Sequence, residues 1–213
     1  MQKPALTATN VIVAANLAIA AIMLWPLFFE PFMLAAALFP ARLVDGDAAF
    51  AGISPLLPAI LTPVSSAFMH GGFMHVLLNM IMLLVTGREV ERVLGWQAFL
   101  TLYIAGMLFA SAAEVIAAPH SLTPVVGASG AISAVIAAFA LLFPNKEPKP
   151  WHGIPAKTAH QLHLLAGWVL INGMLYFAGP QIGINIAVFA HIGGFIAGLL
   201  LARPLLLWRY RKA

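Results

Sequence analysis

The sequence predicts an all-α fold, a bundle of helices that cross a membrane. Of its 213 residues, 62% are hydrophobic and only 8% are charged. The mean hydropathy is +0.96. A soluble domain carries about a quarter charged residues, so most of this surface must face lipid. The apolar residues form long runs without the alternation of a β-barrel, and helices satisfy the backbone hydrogen bonds inside lipid.

Six apolar runs are long enough to be read as spans, because a helix needs roughly 17–25 residues to cross the hydrocarbon core. They are residues 10–29, 72–87, 97–117, 128–144, 160–178 and 184–207. The first run is longer than the roughly 7–15 residues of a signal-peptide core, so we expect it to be retained. Residues 1–213 then form one six-transmembrane-helix domain.

The basic residues predict the orientation. Six spans place both termini on one side, and ten of the eleven Lys and Arg residues lie on that side, whereas Arg42 lies opposite. The ten are Lys3, Arg88, Arg92, Lys146, Lys149, Lys157, Arg203, Arg209, Arg211 and Lys212. Basic loops face the cytoplasm, so we expect cytoplasmic termini in a multi-pass membrane protein. Their scatter between apolar runs does not form a nucleic-acid-binding stripe.

The segment 30–69 on the opposite side is long, apolar and rich in proline. Two interpretations are open. It lies on or dips into the outer leaflet, or it is an ordinary long loop.

Polar side chains cluster at the starts of the second, fourth and sixth spans. His70, His75 and Asn79 open the second, Ser129 opens the fourth, and His191 lies early in the sixth. These spans run in the same direction, so their first turns share one depth below the outer surface. Ionisable and polar residues are costly in lipid, which makes each a functional hypothesis.

Residue types in this cluster are those of acyl transfer. A histidine takes the proton of a serine and makes it nucleophilic, and N–H groups stabilise the resulting oxyanion. Gly127 and Gly130 flank Ser129 and free the backbone to present such groups. No Asp or Glu lies in the cores of these three spans, so a Ser–His dyad is indicated.

Small residues recur every four positions on two of these spans. Ala190, Gly194, Gly198 and Ala202 form one stripe, and Gly130, Ala134 and Ala138 form the other. Such stripes allow close helix contact, which would bring Ser129 to His191. They are also common in membrane bundles in general.

Together, Gly127-Ala128-Ser129-Gly130, His75-xxx-Asn79 and His191 with Gly194 and Gly198 resemble the signature of the rhomboid family of intramembrane serine proteases. The turn Gly87-xxx-Glu91-xxx-Gly95 is similar to a further motif of that family. The resemblance covers about residues 65–202, in the family's order.

The resemblance implies a role for each matching residue. Ser129 would be the nucleophile, His191 the general base and then acid, and the Ser129 N–H with His75 and Asn79 the oxyanion hole. His70 and Glu91 would be structural, with Glu91 capping or bridging cytoplasmic helix ends. The implied substrates are transmembrane segments of proteins embedded in the same lipids. The resemblance is to the bacterial type of the family with a six-helix core, which implies a bacterial inner membrane. No metal, cofactor or nucleic acid is implied.

Two positions depart from the family pattern. Leu61-Thr62 replaces a Trp-Arg pair in the loop before the second span, which questions how that loop is anchored. Ser133 replaces an aromatic residue that stacks on the catalytic histidine. This change either loosens His191 or lets Ser133 form a hydrogen bond with it. Glu114, near the outer end of the third span, has no evident partner in the sequence.

Other activities fit less well. A zinc protease would need HExxH, and an aspartyl protease would need two embedded aspartates. A transporter would favour inverted repeats with a polar centre at the midplane. The remaining alternative is a non-catalytic binder of transmembrane clients, built on the same fold.

Overall fold

The computed structural model describes residues 6–47, 57–144, 149–178 and 186–211. Within these ranges the chain is mostly helical. A π-helical turn at Leu83–Gly87 joins α5 to α6, and single 3-10 turns lie at Ala59–Leu61 and Ser66–Phe68. The α-helices are α1 (Ala8–Met23), α2 (Pro26–Ala36), α3 (Pro40–Val44), α4 (Thr62–Ser65), α5 (Phe73–Met82), α6 (Arg88–Leu94), α7 (Trp96–Ala117), α8 (Ser129–Leu142), α9 (Ala156–Ala178) and α10 (Val188–Tyr210).

Four helices in this part of the chain are long and apolar enough to cross a membrane. They are Phe73–Leu94, Trp96–Ala117, Ala156–Ala178 and Val188–Tyr210. The first of these combines α5, the π-helical turn and α6, and the others are α7, α9 and α10. These correspond to the second, third, fifth and sixth predicted spans. The chain is therefore an all-α, multi-pass membrane protein, as the sequence predicts.

The first and fourth predicted spans are shorter helices. Helix α1 has 16 residues and α8 has 14, against about 20 for a perpendicular crossing. The predicted end of the first span at residue 29 is wrong. Trp25 is extended, and Pro26 starts a separate helix, because the residue before a proline is disfavoured in helical conformation. Helix α8 ends just before Phe143 and Pro144.

Helices α7, α8 and α10 form the close-packed centre of the fold. A Cβ on Gly194 would lie 1.9 Å from the Gly130 carbonyl oxygen, and one on Gly198 would lie 2.3 Å from that of Ala134. These contacts run in the same order along both helices, so α8 and α10 are parallel. The two small-residue stripes meet as predicted, and only glycine permits this backbone separation.

Glu91 ties α6 to the start of α1. Its carboxylate accepts the Ala8 N–H at 2.7 Å, the Thr9 N–H at 2.8 Å and the Thr9 hydroxyl at 2.6 Å. The first N–H groups of a helix lack intrahelical acceptors, so this carboxylate caps α1 from a neighbouring helix.

The segment 30–69 has its own helical structure and supports the loop before α8. Leu38 and Val125 exchange two backbone hydrogen bonds, of 3.1 and 2.8 Å. Buried Arg42 bonds the Asp47 carboxylate at 2.6 Å and donates to the Leu57 carbonyl. Arg42 thus anchors this segment although the Trp-Arg pair is missing. Residues 48–56 lie outside the described ranges.

Candidate active site

Ser129 and His191 are in hydrogen-bonding contact. The Ser129 Oγ lies 2.7 Å from His191 Nε2. Ser129 is the first residue of α8, and His191 lies in the first turn of α10. Because α8 and α10 are parallel and touch at Gly130 and Gly194, both side chains emerge at the same end of the contact.

The loop before Ser129 turns at Gly127. Its φ of +115° belongs to the left-handed region, which favours glycine. A Cβ at this position would also lie 2.6 Å from His75 Nε2. The Gly127 N–H bonds the Ser66 carbonyl at 2.9 Å. Conformation and space therefore both require glycine at this position, two residues before Ser129.

His75 and Asn79 lie one turn apart on α5 and both approach this loop. A Cβ on Gly127 would be 3.5 Å from Asn79 Nδ2. Asn79 is only 7% exposed, and its Nδ2 has no hydrogen-bond partner among the described residues. A buried donor without a partner is costly. The arrangement therefore holds an N–H donor that has no partner among the described residues beside Gly127, two residues before Ser129.

The orientation of the His75 ring also favours a donor. The Gly71 N–H lies 3.4 Å from His75 Nδ1, which makes Nδ1 the acceptor and leaves Nε2 as the N–H of the neutral ring. His70 is buried, and its ring meets that of His75 edge-on at 5.0 Å. Burial, with a smaller contribution from His75, lowers the pKa of His70 to about 4, so His70 adds no charge here near neutral pH.

Asn172 is a site residue that the sequence interpretation missed. Its Oδ1 lies 2.7 Å from His191 Nδ1, on the side of the ring away from Ser129. Asn172 belongs to α9 and is 1% exposed. The sequence did hold a signal for it, because an amide side chain inside an apolar span suggests a functional role. The contact could not be read from spacing, because α9 and α10 are separate helices.

Two further residues hold the first turn of α10. The Trp168 Nε1–H donates to the His191 carbonyl at 3.2 Å. Glu114 on α7 accepts the Ala190 N–H at 3.0 Å. Glu114, for which the sequence suggested no partner, thus caps α10, the helix that carries His191.

Ser133 does not bond His191. Its hydroxyl donates to the Ser129 carbonyl at 2.7 Å, as serines within helices often do one turn back. Of the two alternatives for Ser133, the hydrogen bond with His191 is therefore wrong. His120 pairs with Asp45 at 2.9 Å, where both side chains are exposed.

With this geometry in place, comparisons with known proteins are decisive about the family. The family description "Rhomboid domain" matches residues 58–208. The chain belongs to the rhomboid family. The match includes the serine loop, both helices that carry it and His191, and the α5 segment with His75 and Asn79.

Several curated rhomboid proteins are similar to the chain. "Rhomboid protein 1, mitochondrial" of Saccharomyces cerevisiae is 32% identical over 64% of this chain and 39% of its own length. "Rhomboid protease GlpG" of Yersinia pseudotuberculosis is 31% identical over 65% of this chain and 46% of its own. "Inactive rhomboid protein 1" of Rattus norvegicus is 28% identical over 64% and 15%. The chain thus spans less than half the length of these relatives.

Proposed function

We propose that this protein is an intramembrane serine endopeptidase that cleaves transmembrane segments of other proteins through an acyl-enzyme intermediate. The observation that carries the proposal is the 2.7 Å contact between Ser129 Oγ and His191 Nε2. It lies at the non-cytoplasmic ends of the predicted spans. Membership of a family that includes a protease relative supports it.

The proposed reaction has two acyl transfers. His191 Nε2 takes the Ser129 proton as the oxygen attacks the scissile carbonyl, and the histidine then gives the proton to the leaving amine. Water next enters, and His191 removes its proton as the water oxygen attacks the ester. His191 then returns this proton to the Ser129 oxygen as the acid product leaves, which regenerates the serine. His191 thus accepts one proton and gives it up again in each of the two steps.

In this proposal the tetrahedral oxyanion is bound by the Ser129 N–H, Asn79 Nδ2 and His75 Nε2. Ser129 starts α8, where N–H groups lack intrahelical acceptors. The absence of a partner for Asn79 Nδ2 among the described residues supports its role. Asn79→Ala is expected to lower kcat by roughly 10²-fold, the usual cost of one lost oxyanion donor. An unchanged kcat would remove Asn79 from the oxyanion hole.

The substrate class follows from the position of the site. A helix hides its peptide carbonyls in hydrogen bonds, so a transmembrane substrate must unwind near its outer end before Ser129 can attack. We propose that its lipid environment is a bacterial inner membrane, with both termini of this chain cytoplasmic. The sequence has no cysteine, so single-cysteine variants at Leu122 and Trp151 can test the orientation. An impermeant thiol reagent should label only Leu122→Cys in intact cells.

A non-catalytic client-binding role is the second candidate. It is favoured by the similarity to a relative whose name describes it as inactive. The catalytic proposal is supported here by the retained serine and histidine and by their direct contact. The two roles differ in whether a bound substrate is cut.

The test is cleavage of a transmembrane substrate by the purified protein in liposomes, beside Ser129→Ala and Ser133→Ala. Ser133 lies one turn further along α8, so its variant controls for the loss of a hydroxyl from this helix. Cutting should vanish only in Ser129→Ala. Substrate that co-purifies but remains intact with all three proteins would favour the client-binding role, and equal cutting by all three would exclude Ser129 as the nucleophile.

A further inference from the structure

We propose that Asn172 is the positioning residue for His191, so that a Ser129–His191–Asn172 triad replaces the dyad expected from the sequence. This inference rests on the proposed protease function and goes beyond it by assigning a role to the fifth predicted span. The three members of the triad come from α8, α10 and α9, and two 2.7 Å contacts join them in series.

The orientation of the Asn172 amide is fixed independently of His191. Its Nδ2 donates to the Trp168 carbonyl at 2.9 Å, one turn earlier on α9. Oxygen and nitrogen of an amide are assigned from such bonds. With Nδ2 bound to a carbonyl, Oδ1 is the atom that faces His191, and it can only accept.

The tautomer of His191 follows from this orientation. An acceptor at 2.7 Å from Nδ1 requires a proton on Nδ1. In the neutral ring, Nε2 then carries no proton and accepts from the Ser129 hydroxyl. The opposite tautomer would present an N–H to the serine and could not remove its proton, which is the known consequence of a wrong tautomer in serine proteases.

The surroundings of Asn172 show a built contact. The residue is 1% exposed. Trp168 lies four residues before it, on the same face of α9, and donates to the His191 carbonyl. The Trp168 ring also stacks on Phe195, one turn after His191, with ring centroids 4.9 Å apart and an interplanar angle of 11°. One face of α9 therefore holds both the ring and the backbone of His191.

This role explains how His191 is held although Ser133, one turn after Ser129, does not bond it. Ser133 bonds the Ser129 carbonyl instead. Without stacking, a ring bound only at Nε2 would be free to rotate about its bonds to the backbone. The bond to Asn172 fixes its rotation and its tautomer together.

The first test compares Asn172→Leu, Asn172→Asp and the control Asn16→Leu in the liposome cleavage assay. Asn16 is also fully buried and also donates to the carbonyl one turn back, that of Ile12, at 2.8 Å. Its replacement therefore matches the loss of a buried amide without touching His191.

Asn172→Leu should lower kcat by about 10- to 100-fold, within the range of general acid–base contributions, with KM nearly unchanged. Asn172→Asp keeps an acceptor oxygen and should recover most of that loss, while Asn16→Leu keeps the wild-type kcat. If the wild type is active and Asn172→Leu and Asn16→Leu have equal kcat values, the role of Asn172 is overturned but the proposed function is not. An inactive wild type would instead overturn the proposed function.

A second measurement needs no Asn172 variant. In the wild-type protein labelled with ¹⁵N-histidine, with the signal assigned by its loss in His191→Gln, the neutral ring should carry its proton on Nδ1. A proton on Nε2 would contradict the triad, whatever the fate of the variants.

Discussion

Helix α10 meets two neighbours in different ways. Against α8 it packs through glycine and alanine, with Gly194 against the Gly130 backbone. Against α9 it is joined by the Trp168–Phe195 stack and by the Asn172–His191 hydrogen bond. In α9 the buried residues are Ala159 and Asn172, whereas eight residues of α10 are buried.

The difference indicates a division of tasks. Close packing of α8 and α10 fixes the distance between the backbones of Ser129 and His191. The polar and aromatic contacts from α9 fix the orientation of the imidazole. Changes in the first contact should therefore act on folding, and changes in the second on turnover as well as on stability.

The largest effect should come from Gly194→Ala. Its methyl group would lie 1.9 Å from a backbone oxygen, so α8 and α10 must separate, at a cost above the ~1–3 kcal/mol usual for overpacking. Gly173→Ala on α9 is the matched control, because nothing lies within 4 Å of its added Cβ. Thermal unfolding in detergent should show a large loss of Tm for Gly194→Ala only. Equal Tm values would mean that the close contact is not required.

A smaller effect should follow from changing Trp168. Trp168→Leu removes the stack on Phe195 and the hydrogen bond to the His191 carbonyl. It should lower the free energy of unfolding by about 2 kcal/mol. Trp168→Phe retains the stack and should cost about 1 kcal/mol. Both should lower kcat. If Tm falls while kcat stays at the wild-type value, the aromatic contact does not help to hold His191.

The smallest effect should come from the cap of α10. Glu114→Leu removes the acceptor for the Ala190 N–H. It should lower the free energy of unfolding by about 1 kcal/mol, as the loss of other helix caps does. Glu114→Gln keeps an acceptor oxygen and should cost less. Chemical denaturation of the two variants beside the wild type measures the difference. An equal loss in Glu114→Gln and Glu114→Leu would show that the charge, rather than the hydrogen bond, dominates.

Much of the fold follows from sequence because lipid restricts the options. Long apolar runs must be helices, and their order gives parallel second, fourth and sixth spans. The stripes around Gly130 and Gly194 identify the contact that brings Ser129 and His191 together. The break at Trp25 and the helices within segment 30–69 were not predicted, because apolar composition continues through them and hides the helix ends.

The site was only partly predictable for a related reason. Ser129, His191, His75 and Asn79 lie in motifs with fixed spacing. Asn172 and Glu114 act from other helices through single contacts, and no spacing rule connects them to His191. Their polarity within apolar runs was the available signal, but their partners depend on how α7, α9 and α10 pack.

The most direct test of the central claim, that His191 activates Ser129, is mass spectrometry of the reconstituted protein after treatment with a fluorophosphonate. The account predicts an adduct on Ser129 in the wild type and none in His191→Ala, with Asn16→Leu labelled like the wild type. No adduct in the wild type, or equal labelling in His191→Ala, would contradict it.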